Sequence, residues 1–212
     1  MPALAAEFRR TVRAAAELPE AGELLRDSSK KGTVVYQQLT PHRLMALYEM
    51  AYMRMFVAWE TYLEMTFLRY MCGYVSPIYT PQFQPGQQRV TTLPKAYGAL
   101  LLPGHYYLLW HSPPRVRKWA ASWFVGSPHE LVIASSLSRL EWFGAIRHRI
   151  AHGSEDARQK MDKATRGLAG RRFAASSPGR FLRSWNGASQ PQERWLYTIA
   201  AELSALSTQI SP

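Results

Sequence analysis

Apolar residues recur at helical spacing along most of the chain, and the longest such run sets the frame. Thr40 stands as an N-cap, Pro41 occupies the first helical position, and apolar residues then continue almost without interruption to Met71, with Gly73 as the stop. An unbroken helix over 41–71 spans roughly 45 Å. Leu44, Leu47, Tyr48, Ala51, Met55, Trp59, Tyr62 and Met65 form a wide stripe on it, and Met50, Met53 and Phe67 add apolar surface beyond the stripe. A helix apolar on most sides is buried from several directions, which predicts the central helix of the fold or part of a dimer interface. Glu49, Arg54, Glu60, Glu64 and Arg69 interrupt it too often for a membrane span.

The second long helix is predicted over 128–152. Ser127-Pro128-His129-Glu130 supplies an N-cap, a proline at the first position and a glutamate three residues on, and Leu131, Ala134, Leu137, Leu140 and Ile146 keep the period. Shorter helices are expected over 3–18, where Pro19 follows, over about 113–124, from Ser154 onward, and over roughly 191–209. Gly32 to Tyr36 reads as a short extended piece. Between Gly73 and Gly104 the prolines 77, 81, 85, 94 and 103 predict an irregular excursion; Gln82, Gln84, Gln87, Gln88 and Arg89, interleaved with Tyr79 and Phe83, either contact single-stranded bases or cover the core. The pattern as a whole predicts an all-α helical bundle with two long antiparallel core helices. One helical domain over 1–212 is expected, its core at about 40–155 and a basic helical part at 156–212.

Composition narrows the partners. Hydrophobic residues make up 47% and charged residues 19%, the balance of a globular protein rather than a disordered one. The 26 Lys and Arg against 15 Asp and Glu give a net charge of +11 and a pI near 10.0, which points to an acidic partner, nucleic acid ahead of membrane. Much of that charge sits between 158 and 183, where Arg158, Lys160, Lys163, Arg166, Arg171, Arg172, Arg180 and Arg183 face the single acid Asp162. A charge run is usually a solvated face. With Phe173, Phe181 and Trp185 interleaved, this one is read as an RNA-backbone contact, carried by Arg158, Lys160, Lys163, Arg166, Arg171 and Arg172. The single cysteine, Cys72, excludes a disulfide framework, and the N-terminal stretch lacks the long apolar core of a signal peptide, so a cytoplasmic protein with no membrane partner is expected. Internal repeats, a glycine-rich phosphate loop and a Gly-x-Ser-x-Gly elbow are all absent from the sequence.

Candidate chemistry concentrates where the second long helix ends, at Arg147-His148-Arg149-Ile150-Ala151-His152-Gly153. Gly153 stands where a left-handed residue closes a helix, placing His152 at or beside the last helical position. Residues five apart on a helix point about 140° apart, so Arg147 and His152 share a site only if the helix ends between or at them. Carbonyls at a helix C-terminus favour protonated histidine and shift its titration upward, and an arginine nearby can grip a phosphate through its planar fork. The pattern suits phosphodiester chemistry, with histidine moving protons and arginine holding the anion. Metal binding is the rival, since His148 and His152 are four apart; no glutamate follows His148 in the zincin manner and Cys72 is alone, so no metal or other cofactor is expected. Glu60 and Glu64 on the 41–71 helix are placed to orient a motif side chain, although surface position is the commoner role for such carboxylates.

The motif resembles the Arg-x4-6-His signature of HEPN-domain ribonucleases, which often closes Ile-Ala-His-Gly. Phe56 to Glu64 is similar to the first core helix of several HEPN subfamilies, so the resemblance covers about 40–155. It implies a small helical bundle that dimerises until two Arg/His motifs face each other and form one composite, metal-independent RNA-cleaving site. Arg147, His152 and His148 would then be the catalytic residues, with Glu60 and Arg149 in support. Where this chain has His148, asparagine or aspartate is commoner in the family, which leaves open which histidine moves the proton. The expected function is a metal-independent endoribonuclease acting by 2′-hydroxyl attack in a homodimer. Such nucleases are often toxins of toxin–antitoxin pairs or phage-defence effectors, with a cognate antitoxin or regulatory protein as partner. The alternative is a non-catalytic RNA-binding or scaffold module that uses the same basic surface.

Overall fold

The computed structural model describes residues 2–102, 104, 106–171, 173 and 177–211, and among them the chain is mostly helical. In chain order the elements are α1 (Pro2–Ser28), α2 (Val34–Gln38), α3 (Pro41–Met71), α4 (Leu93–Leu100), α5 (Pro113–Trp123), α6 (Pro128–Ser135), α7 (Leu137–Ala151), α8 (Glu155–Ala169), α9 (Pro178–Arg183), β1 (Trp185–Asn186), β2 (Glu193–Arg194) and α10 (Trp195–Ile210). The two short strands pair antiparallel, Trp185 opposite Arg194. No helix among the described residues is long and apolar enough to cross a membrane.

The chain divides into two compact units: one takes the start of the chain to Arg9, Ala58–Glu141 and the chain from Ser204 onward, the other Arg10–Val57 and Trp142–Leu203. The first unit is packed around aromatic side chains of α3. Phe67 meets Trp110, Phe124 and His129 at ring distances of 5.3–5.5 Å. The Tyr62 hydroxyl donates to the Ser207 carbonyl at 2.6 Å and the Tyr70 hydroxyl to that of Ile210 at 2.9 Å, so the polar ends of these buried rings are satisfied by the last turns of α10.

In the second unit the first half of α3 runs antiparallel to the end of α7. The Tyr52 hydroxyl donates to the Phe143 carbonyl at 2.7 Å, while Glu49, a turn earlier on α3, shares a surface depression with Arg149 to Gly153 further along α7. Close approach here depends on glycine. A Cβ at Gly167 on α8 would stand 2.5 Å from the half-buried Trp142 ring, so the ring or the helix would have to shift. Gly167→Ala is expected to lower stability by about 1–3 kcal/mol, read as a reduced urea midpoint with an unchanged slope.

Four sequence expectations need correction. First, α1 does not stop before Pro19 but runs through it to Ser28. Pro19 lies on the buried face, four residues after Ala15 and four before Glu23, and Gly22 lets the helix press against Leu44 and Leu47. Those contacts and the ion pairs of Glu23 outweigh the roughly 3 kcal/mol that an interior proline costs a helix. The same continuation leaves Leu18 46% exposed, off the core stripe. Second, Val34–Gln38 is a helical turn rather than an extended piece, because the Thr33 hydroxyl accepts from the Tyr36 amide and caps it. Third, the helix expected over 128–152 is two helices, broken at Ser136. The Ser135 hydroxyl bonds back to the Val132 carbonyl at 2.9 Å, and Ser136 leaves helical geometry at φ −116°, ψ 17°. Fourth, α10 begins at Trp195 rather than near 191, since Glu193 and Arg194 are taken into the hairpin.

Among its described residues the 73–104 excursion contains α4 and is otherwise irregular, and two of its polar side chains bond to main-chain carbonyls outside it. Gln84 donates through Nε2 to the carbonyls of Ala121 and Phe124, both at 3.1 Å, Arg89 Nε donates to that of Cys72 at 2.8 Å, and Phe83 and Tyr79 pack on Phe124 and Tyr70. Gln84, Tyr79 and Phe83 thus cover the first unit's core, while Gln82, Gln88 and Arg89 remain exposed.

Candidate active site

The last turns of α7 bring two imidazoles together. His148 and His152 lie four residues apart on one face, with ring centroids 4.6 Å from each other. Ala151 is the last helical residue, and the His152 amide still donates to the His148 carbonyl at 2.9 Å, so the second ring is held in phase with the first. The chain turns at once into α8, where the Ser154 hydroxyl accepts from the Ala157 amide. Gly153 does not have the left-handed conformation expected of it, because the N-cap of α8 follows directly and demands extended backbone.

Arg149 folds over the helix end, donating weakly to the carbonyls of His152 at 3.4 Å and Ser154 at 3.5 Å. It also lines, with His152, Glu49 and Pro178, a surface depression of about 360 Å³. Arg147 is half-buried with its Nε shielded from solvent and acts on His148 through its charge, but it does not line this depression. Arg149 is the motif arginine that lines it with His152. Glu60 belongs to the other unit, half-buried with one carboxylate oxygen shielded, as is the half-buried Glu64, whose carboxyl is pushed up by burial. The carboxylate brought to the depression is Glu49, which sequence reasoning passed over. It accepts from the Gly179 amide at 2.8 Å, where the first turn of α9 presses on the backbone of Met45. Only that close approach, which requires glycine, singles Glu49 out, and it is a long-range contact that local patterning does not encode.

Electrostatics at the pair run opposite to the helix-dipole expectation for His148. Partial burial is the largest cause, and the neighbouring His152, Lys160 and Arg147 add to it, so the imidazole is held below its ordinary 6.5; the Asp156 carboxylate, 4.0 Å away, offsets this only in part because Lys160 holds it at 2.7 Å. Burial, aided by the positive charges of Lys160 and Arg147, outweighs the helix dipole here. His148 is thus neutral at pH 7 and able to accept a proton. No group of three or more His, Cys, Asp and Glu residues among those described is arranged to hold a metal ion.

The basic run divides on inspection. Arg158 is tied to Glu155 through Nε and Nη2, with Asp162 at 3.8 Å from Nη1, and Lys160 is tied to Asp156. Arg183 is drawn inward to Glu23, and Phe181 is fully buried, stacked on Trp195 at 5.2 Å. Lys163, Arg166 and Arg171 stay exposed, and none of them has an ion-pair partner among the described residues. Arg172 lies outside the described residues. The chain matches no family model, no curated protein and no solved structure.

Proposed function

We propose that the chain is a metal-independent endoribonuclease of the Arg/His-motif kind, a HEPN-like helical bundle acting as a homodimer. The observation that carries this reading is the pair of imidazoles 4.6 Å apart at the end of α7, one of them neutral at pH 7, among Arg147, Arg149 and Lys160. Cleavage by 2′-hydroxyl attack needs a base, an acid and a cation for the phosphate. His148 takes the 2′-hydroxyl proton, the O2′–P bond forms, the P–O5′ bond breaks, and His152 delivers a proton to the departing O5′. Arg149, beside His152, neutralises the phosphoryl oxygens. Arg147 of the second copy adds to that charge when two motifs face each other across a twofold axis. Met50 and Val57 on α3 support such an interface, being 64% and 49% exposed on the helix that carries Glu49.

The test is cleavage of single-stranded RNA in EDTA. Products are expected to end in 2′,3′-cyclic phosphate, and His148→Ala or His152→Ala is expected to slow the reaction on the order of 10²-fold each. The acid limb of the rate profile should have its midpoint below 6.5, since activity is lost when His148 gains a proton. Mixing Arg147→Ala with His152→Ala protein should restore part of the rate. Undiminished cleavage by a His148→Ala/His152→Ala variant would refute the mechanism. Salt-sensitive RNA binding without turnover, unchanged by those substitutions, would favour a binding module. Induced wild-type protein is expected to arrest host growth and the double variant not, as for a toxin or defence effector that a regulatory partner must restrain.

A further inference from the structure

A second concavity, of about 350 Å³, lies in the same unit and owes nothing to the histidine pair. Its walls include Trp185, Trp195, Phe173 and Arg171, together with Gly187 and Ala188 of the hairpin turn. The volume is at the small end of ligand sites, enough for one planar ring system and its substituents and too small for a folded partner.

Trp185 is the unusual member. It is 51% exposed, yet its ring is not free: across the hairpin from it stands Arg194, whose guanidinium lies 4.6 Å from the indole centroid. Arg194 in turn is fixed by Glu23 at 3.6 Å and by donation to the Arg183 carbonyl at 2.7 Å. One face of the indole is thereby covered by a cation and its orientation set, while about half of the side chain is left to solvent. An indole immobilised and half in water is a stacking surface prepared in advance. Behind it Trp195 is 4% exposed and stacks on Phe181, and Phe173 stands edge-on to Phe181 at 5.3 Å, so the wall is rigid. Asn186 is spent on shaping the turn, donating to the Thr198 hydroxyl and accepting from the Ala188 amide.

Charge selects among aromatic ligands. Arg171 at the rim and Arg194 behind the indole repel a quaternary ammonium and favour an anion. We propose that this concavity is a nucleotide-binding site, in which a nucleobase stacks on the free face of Trp185 and its phosphate meets Arg171. The ligand is either a free nucleotide or an unpaired base of an RNA strand. The site extends the RNA reading but does not depend on cleavage, and its test uses none.

The experiment follows the indole N–H resonances of the seven tryptophans, with that of Trp185 assigned by its loss in Trp185→Phe. The probes are adenosine 5′-monophosphate and a 2′-O-methyl hexa-adenylate, which cannot be cleaved. Saturable movement of the Trp185 resonance is expected with the hexamer, and with the mononucleotide too if the site takes free nucleotides. In calorimetry Trp185→Ala should weaken binding about ten- to a hundredfold, Trp185→Phe should keep most of it, and Arg171→Ala should weaken it while flattening its salt dependence. A Trp185 resonance unmoved by either probe in the wild-type protein overturns the proposal. So does affinity unchanged in both Trp185→Ala and Arg171→Ala, whether or not the histidine pair cleaves RNA.

Discussion

Glu23→Ala is expected to destabilise the protein by about 3–5 kcal/mol, the cost of leaving buried charges without their partner. The carboxylate is 8% exposed and meets Arg183 at 2.7 and 3.0 Å, Arg194 at 3.6 Å and the Tyr48 hydroxyl at 3.2 Å. Burial by itself would push Glu23 up, but the two guanidiniums prevail and hold it below the ordinary carboxylate value. Its contribution is therefore complete above that ordinary value, about 4.5, and disappears as pH falls through the lower folded value. Urea titration at pH 7 measures the loss directly. A change below about 1 kcal/mol would mean that water solvates both arginines in the variant. Removing one arginine should cost less, because the other still faces the carboxylate.

His129 is expected to make the protein acid-labile by about 1.4 kcal/mol per pH unit, on the order of 5 kcal/mol by pH 3. The ring is fully buried, flanked by Phe67 and Tyr70, with Nε2 2.9 Å from the Thr66 hydroxyl. Thr66 gives its own proton to the Tyr62 carbonyl at 2.7 Å, so Nε2 must be the donor to Thr66. That leaves Nδ1 as a bare acceptor, buried and without a hydrogen-bond partner among the described residues. Protonating it would bury a charge, and burial drives the folded value down to about 3 from 6.5, with only a hydrogen bond to the Leu63 main chain working against it. The unfolded chain binds the extra proton between those values, so stability is full above pH 6.5 and falls as pH drops towards 3. Thermal unfolding from pH 7 to 4 should show this slope in the wild type, and His129→Leu should reduce it by the contribution of one group. An identical slope in the variant would assign the lability to other residues.

The parts of the fold legible in sequence were those set by local rules. Thr40, Pro41 and Gly73 delimited α3, and the Ser127 capping box started α6, because caps and backbone preferences act within a few residues. What sequence could not show was decided by contacts far along the chain. Pro19 is carried through a helix by the surroundings of Glu23 and Gly22, and Arg183 leaves the basic surface because its partner is 160 residues away. The candidate site followed the same division. The four-residue spacing of His148 and His152 placed both rings on one face, but which arginine lines the depression beside them, and the arrival of Glu49, depend on how α3, α7 and α9 meet.

The break at Ser136 has a bearing on how α7 tolerates change. In one continuous helix from Pro128, an insertion or deletion of a single residue would turn everything downstream by about 100°, and both imidazoles would leave their face. Because α6 ends and α7 starts afresh at Ser136, the angular phase of α7 is set locally, by the Tyr52 bond to Phe143 and by Trp142 lying against Gly167. A single non-helical residue, Ser136, separates the two helices. A change of length upstream of Ser136 is therefore expected to disturb the pair less than the same change between Phe143 and His148, which would rotate the two histidines out of register.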